Sequence, residues 1–250
     1  MIIKPYNYKF TVNPQFESLM PFIKSLPARW FDDEGDIIYF GRNELRRFTH
    51  DGYDLVVKGF GKPNIINRFV YGNLRRFKGQ RSFDYAMAYT RAGIPTPAPV
   101  ACINCRYVPR ELYEDYYISL ASRCRHTYAD LFLPENADAI PAVMKAVAEV
   151  TARIHSAGFR HLDYGRGNIL WSLHPDGSAE IDIVDVNRQR LGAVGLHDAC
   201  RNLERLPMTP EMRHIFATTY APLRGFDPAE VERLMERYRA SQPGKIDNLY

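Results

Sequence analysis

Three oxygen-bearing side chains in the second half of the chain have the types and spacing to do chemistry. Asp163 and Asn168 lie five residues apart in His161-Leu162-Asp163-Tyr164-Gly165-Arg166-Gly167-Asn168, an H-x-D-x-x-x-x-N arrangement. Asp185 follows seventeen residues beyond Asn168, in Ile183-Val184-Asp185-Val186-Asn187-Arg188. A carboxylate at position 163 can accept a hydrogen bond from an attacking hydroxyl and receive its proton. An amide oxygen at 168 and a carboxylate at 185 are hard ligands for a hard cation such as Mg2+. Such a set suits phosphoryl transfer from Mg·ATP. That reaction asks a protein mainly to hold donor, metal and acceptor in line and to neutralise charge. Gly165 and Gly167 give the loop the freedom to turn Asn168 inward. His161 reads as a support for the loop backbone rather than a reacting group. Any one of these residues alone would suit a polar loop. Their spacing, the glycines and the flanking elements agree together.

Those flanking elements must place the three groups. Residues 169–173 and 180–186 read as short strands around Pro175-Asp176-Gly177-Ser178, a turn sequence, so a β-hairpin would return Asp185 to Asn168. Before the loop, Ile140, Val143, Met144, Val147, Val150, Thr151 and Ile154 recur at helical spacing, with Gly158 as the stop. Residues 197–206 also read as helix-like, and Asp227-Pro228-Ala229-Glu230 is a helix start followed by an apolar face.

The first half reads differently. Residues 36–40, 44–49 and 53–60 are three strands, with the turn His50-Asp51-Gly52 between the last two. A helix over residues 80–92 ends at Gly93, with Pro95 and Pro97 beyond, and residues 99–107 and 116–120 read as further strands. Residues 1–30 give no clear pattern. Lys58 ends the apolar strand Leu55-Val56-Val57-Lys58, where a V-A-I-K-type lysine grips the α- and β-phosphates. Its acidic partner on the following helix would be Asp84, a shorter side chain than the usual Glu. Between the first two strands only Gly41-Arg42-Asn43 is available to cover phosphates with backbone amides and Arg42.

The expected fold class is therefore α+β, a bilobal protein-kinase-like fold. Residues 1–120 would form a nucleotide-binding lobe with a five-stranded antiparallel sheet and one helix. Residues 121–250 would form a mainly helical catalytic lobe with the loop and the hairpin. Ligand pockets favour such lobe junctions.

Composition narrows the class. The chain is 250 residues long, enough for a substantial core. It has no apolar run approaching a bilayer span, and its start lacks a signal-peptide core, so a cytoplasmic location is expected. Cys102 and Cys105 form a C-x-x-C, but Cys124 and Cys200 are isolated, which favours packed thiols over zinc or redox chemistry. The net charge of +4 is too modest to imply nucleic acid. Its clustering is more informative: Arg68, Arg75, Arg76, Lys78 and Arg81 fall close together with Tyr71 and Phe77 among them. A solvated face is the plain reading of that stretch. A surface meeting an anionic membrane or acidic glycolipid is the sharper one.

The residues resemble the Kdo/WaaP lipopolysaccharide kinase family, small relatives of the protein kinase fold. The resemblance runs from about Ile37 to Leu206. It rests on Val57-Lys58, Arg81-Ser82-Phe83-Asp84-Tyr85-Ala86, Gly93-Ile94-Pro95-Thr96-Pro97, the loop from His161 to Asn168, and Asp185-Val186-Asn187-Arg188 in place of D-F-G. It implies ATP and Mg2+. It also implies a lipid A-core glycolipid as acceptor, phosphorylated on Kdo or heptose, with peripheral contact at the cytoplasmic face of the inner membrane. Two features fit a compact acceptor independently. His161 is followed by Leu162 and not Arg, and only twelve residues separate Asp185 from Asp198, which leaves little room for a regulatory segment. A kinase for a soluble small molecule or for protein Ser/Thr, and a nucleotide-binding pseudokinase, are the competing readings. Asp84 and the thin glycine loop favour the last of these.

Overall fold

Alternating apolar residues such as Leu55 and Val57, both wholly buried, set one face of a sheet against a core. The computed structural model describes residues 7–60, 77–106 and 113–240. The first sheet has six antiparallel strands in the order β1-β5-β6-β4-β3-β2. In chain order these are β1 (Asn7–Val12), β2 (Asp36–Phe40), β3 (Asn43–His50), β4 (Tyr53–Phe60), β5 (Pro99–Arg106) and β6 (Tyr113–Leu120).

The five strands expected from the sequence are present, and β1 makes a sixth by pairing with β5 from Asn7↔Arg106 to Val12↔Ala101. The expected single helix, α2 (Lys78–Arg91), is joined by an earlier one, α1 (Met20–Phe31). Phe22, Ile23 and Leu26 of α1 share a core with Leu55, Val57, Ile103 and Ile118 of the sheet. Pro21 and Pro27 obscure this helix in the sequence, because proline is a helix breaker except near the start. Arg46 on β3 pins its end. The side chain is 4% exposed, bonds the Trp30 carbonyl at 3.1 Å and Asp33 at 3.0 Å, and stacks 4.3 Å from the Trp30 ring. A buried charge with this many partners is compensated rather than costly.

Gly79, in the first turn of α2, has no room for a side chain. A Cβ there would lie 2.4 Å from the Asp115 carboxylate and 2.6 Å from the Tyr116 carbonyl oxygen. The Gly79 amide also donates to Asp115 at 2.8 Å. Gly79→Ala is therefore expected to destabilise the fold by about 1–3 kcal/mol, through overpacking. Urea denaturation checks this, and an unchanged midpoint would contradict the close approach.

The chain divides into two compact units, residues 1–87 with 97–121, and residues 88–96 with 122–250. The second is built on α3 (Ile140–Ser156), whose Val143, Met144, Val147 and Ile154 are buried and which packs against α5 (Pro210–Arg224). Thr209, whose side chain accepts from the Met212 amide, and Gly225, at φ 67°, cap α5. Between α3 and α5 run the short strands β8 (Phe159–His161), β9 (Ile169–Leu173), β10 (Ala179–Ile183) and β11 (Gln189–Leu191), then α4 (Leu196–Asn202). β9 also pairs with β7 (His126–Thr127). α6 (Pro228–Ala240) closes the unit and starts where Asp227 accepts from the Glu230 amide at 3.2 Å. Gly158 adopts φ 78°, as the stop after α3 requires.

Among the described residues no helix is long and apolar enough to cross a membrane. Cys102 and Cys200 are buried, and burial pushes their thiols up to about 12, so they pack as reduced groups. Of the basic stretch, Arg68, Arg75 and Arg76, together with Tyr71, lie outside the described residues.

Candidate active site

The loop from His161 to Asn168 hangs between two antiparallel pairings. β8 pairs with β11 through His161↔Gln189, and the Leu162 amide bonds the Arg188 carbonyl at 2.9 Å. β9 pairs with β10 up to Ile169↔Ile183, and the Val184 amide then bonds the Asn168 carbonyl at 3.0 Å. The hairpin thus returns Asp185 to the end of the loop that begins at Asp163. Asn168 donates from its side-chain amide to the Asp163 carbonyl at 2.8 Å, which fixes the nitrogen on the loop and turns the amide oxygen the other way. The Asp185 backbone sits at φ 55°, a left-handed conformation that a non-glycine residue adopts at a cost. Its carboxylate accepts a hydrogen bond from the Asn187 side chain.

His161 is fully buried, and burial pushes its pKa down, so the ring is neutral. Nδ1 accepts from the Asp163 amide at 3.2 Å, and Nε2 donates to the Val184 carbonyl at 3.1 Å. The ring therefore ties the residue at 163 to the residue just before Asp185, a supporting role. Tyr164, 2% exposed, anchors the loop to α3 through a 2.7 Å hydrogen bond with Thr151.

A second layer of support lies beneath. Asn202 donates to the His161 carbonyl at 2.8 Å and accepts from His155 Nε2 at 3.1 Å. His155 Nδ1 in turn accepts from the Tyr220 hydroxyl at 2.8 Å, and Arg224 donates to the same hydroxyl at 3.2 Å. Arg160 and Asp198 form an ion pair that fastens β8 to α4.

Asp163 is not left alone. Arg188 Nη1 reaches its two oxygens at 3.0 and 3.2 Å, and Arg205 reaches one of them at 3.4 Å. The sequence pointed to neither ion pair. Arg188 entered only as part of D-x-N-R, and Arg205 is forty-two positions away. Asn202 and His155 were missed for the same reason, because through-space contacts leave no local pattern.

In the first unit, Lys58 lies on β4 opposite Leu45 and Tyr117. Its Nζ sits 5.4 Å from the Phe60 ring centre, and Lys78 Nζ lies 5.8 Å from the same ring. Burial, together with Arg42, Arg81 and Lys58, pushes the Lys78 pKa down, while Asp115 opposes the shift. Four cations thus act on one another, Lys58 and Arg42, which the sequence assigned to the nucleotide, and Lys78 and Arg81, which it placed in the basic stretch. Asp84 lies on α2 and accepts from Gln80 at 2.9 Å. Gly41 and Arg42 form the exposed bend between β2 and β3, where the Gly41 amide bonds the Asn43 carbonyl at 3.1 Å.

Among the described residues no cluster of three or more His, Cys, Asp and Glu side chains could hold a metal. One amide oxygen and one carboxylate still fit Mg2+, which keeps several waters and takes phosphate oxygens as further ligands. A groove of about 650 Å³ in the second unit, lined by Arg123, Arg125, His126, Trp171 and Glu180 among others, contains none of Asp163, Asn168 and Asp185.

Residues 115–238, about half of the chain, match the lipopolysaccharide kinase (Kdo/WaaP) family. No curated protein sequence matches the chain. Among solved structures it is similar to one described as WaaP in complex with acyl carrier protein, at 17% identity and a TM-score of 0.58, over 93% of this chain and 98% of that one. That similarity gives the fold, a bilobal kinase-like one. The chain belongs to the lipopolysaccharide kinase (Kdo/WaaP) family and is a phosphotransferase whose acceptor is a sugar hydroxyl.

Proposed function

We propose that the chain uses Mg·ATP to phosphorylate a Kdo or heptose hydroxyl of the lipopolysaccharide inner core. The observation that carries this is the tying of Asp163, Asn168 and Asp185 into one loop and hairpin mouth by the bonds of Asn168 and His161. In this reading Asp163 orients the acceptor hydroxyl and takes its proton. The acceptor oxygen forms a bond to the γ-phosphorus, the bond from that phosphorus to the β-γ bridging oxygen breaks, and ADP leaves. Asn168 and Asp185 hold Mg2+ through oxygen. The bound ion would neutralise charge on the phosphates. Lys58 grips the α- and β-phosphates, with Asp84 as its acidic partner and Gly41 and Arg42 covering the nucleotide.

Residues 1–120 are assigned to nucleotide binding and residues 121–250 to catalysis. Lys78 and Arg81, with Arg68, Arg75 and Arg76, would meet an anionic glycolipid at the cytoplasmic face of the inner membrane. Phosphate transfer from labelled ATP to purified Kdo-lipid A, compared with generic protein substrates, tests the proposal. Label in the glycolipid and not in protein is expected. Label in protein alone would overturn it.

A further inference from the structure

Asp163 carries one negative charge and faces two guanidinium groups, so the cluster keeps one positive charge in excess. The side chains of Arg188 and Arg205 are 53% and 48% exposed, and that of Asp163 is 24% exposed. Exposed ion pairs of this kind contribute little to folding, so stability does not explain why two arginines converge on one carboxylate. Their positions are nonetheless built. The Arg188 carbonyl is held by the Leu162 amide at 2.9 Å. Arg205 stands between Leu203 and Leu206, which are 3% and 2% exposed. Both guanidinium groups are thereby presented at the mouth of the loop, on the group that would receive the acceptor's proton.

Arg188 occupies both oxygens of the Asp163 carboxylate, which leaves them engaged rather than open to an acceptor hydroxyl until that arginine finds another anion. A guanidinium fork matches a carboxylate or a phosphate in both charge and geometry. Resting on the kinase reading above, we propose that Arg188 and Arg205 form an anion subsite for the acceptor. They would hold a carboxylate or phosphate borne by the sugar beside the reacting hydroxyl. The acceptor's own charge then draws Arg188 off Asp163 as the hydroxyl arrives, so an acidic sugar is selected over a neutral one. Arg205, at the longer 3.4 Å, is the more readily shared of the two.

The test uses the full chain with Mg·ATP and three acceptors: Kdo-lipid A, the same glycolipid with its Kdo carboxylates reduced to alcohols, and the same glycolipid with its lipid A phosphates removed. For the wild-type chain, one of the two neutralised acceptors is expected to show a KM raised about 10- to 100-fold, the loss of a charge-assisted hydrogen bond. Which one it is identifies the anion. Arg205→Ala is expected to raise KM for Kdo-lipid A by about tenfold while kcat holds within about threefold, and to narrow the gap between acceptors. Arg205→Lys should recover part of the affinity, because it restores charge without the fork. Equal KM for all three acceptors with the wild-type chain would overturn the subsite. So would a fall in kcat in Arg188→Ala and Arg205→Ala with the ratio between acceptors preserved, since that marks arginines that merely position Asp163. Wild-type transfer to none of the glycolipids would instead remove the kinase reading, and the subsite with it.

Discussion

Asp163→Asn lowers kcat for phosphate transfer by about 100- to 10,000-fold, the usual contribution of a positioned general base. Asparagine keeps the size of the side chain and can still accept a hydrogen bond, but it cannot take the proton. The loop should survive the change, because its geometry rests on backbone groups of residue 163. The Asp163 carbonyl accepts from Asn168 and its amide donates to His161. ATP affinity is expected to hold within about twofold, since the residue serves the acceptor rather than the donor. Steady-state kinetics with a parallel nucleotide-binding titration checks both halves. A kcat within about fivefold of wild type would remove Asp163 from the chemistry. A matching loss of ATP affinity would assign the residue to the nucleotide.

The second large effect concerns the layer beneath the loop. Burial pushes the His155 pKa down to about 4, from 6.5. The unfolded chain therefore binds a proton here that the folded chain refuses between those two values. Stability falls as pH drops from 6.5 towards 4, by about 3 kcal/mol from this residue, and the contribution levels off below. His161 is shifted in the same direction. Asp115, raised by burial to about 7, acts with the opposite sign, gaining relative stability as pH falls. Comparing a variant with wild type isolates His155 from both. His155→Gln removes the titration while keeping hydrogen-bonding capacity, and is expected to lose about 1–3 kcal/mol at pH 7 through imperfectly paired Tyr220 and Asn202. Its stability curve should then flatten between pH 6.5 and 4, so the gap to wild type narrows with acid. Urea denaturation at pH 7, 5.5 and 4 reads this directly. Parallel curves for the two proteins would contradict the assignment.

The His155 network was invisible in the sequence, whereas much of the rest was legible. Local rules placed β2 to β6, α3 and the β9–β10 hairpin. Each is signalled within its own segment by period-two or helical spacing, by Gly158, or by Pro175-Asp176-Gly177-Ser178. β10 ends at Ile183, a little earlier than its apolar run suggests, because the backbone turns into the left-handed region at Asp185, φ 55°, just beyond it. α1 was hidden by its two prolines, and β1 by being short and paired with a strand almost a hundred positions away. For α5 the signals were present in Thr209-Pro210-Glu211 and Gly225.

The candidate site divides along the same line. Asp163, Asn168 and Asp185 could be read because a loop spacing and a hairpin bring them together. Arg205, Asn202 and His155 could not, because they reach the loop from α3 and from the segment around α4. Asp84 stood out within its own segment as the sole acid of α2, and there it accepts from Gln80, one turn before it on the same helix.

The most direct measurement is the mass of Kdo-lipid A after incubation with the purified chain and Mg·ATP. In incubations stopped at the same early time, a gain of one phosphate group is expected with the wild-type chain, and at least about 100-fold less of that product with Asp163→Asn or Asp185→Ala. An unchanged mass with wild type, or an equal gain in all three, would contradict the account.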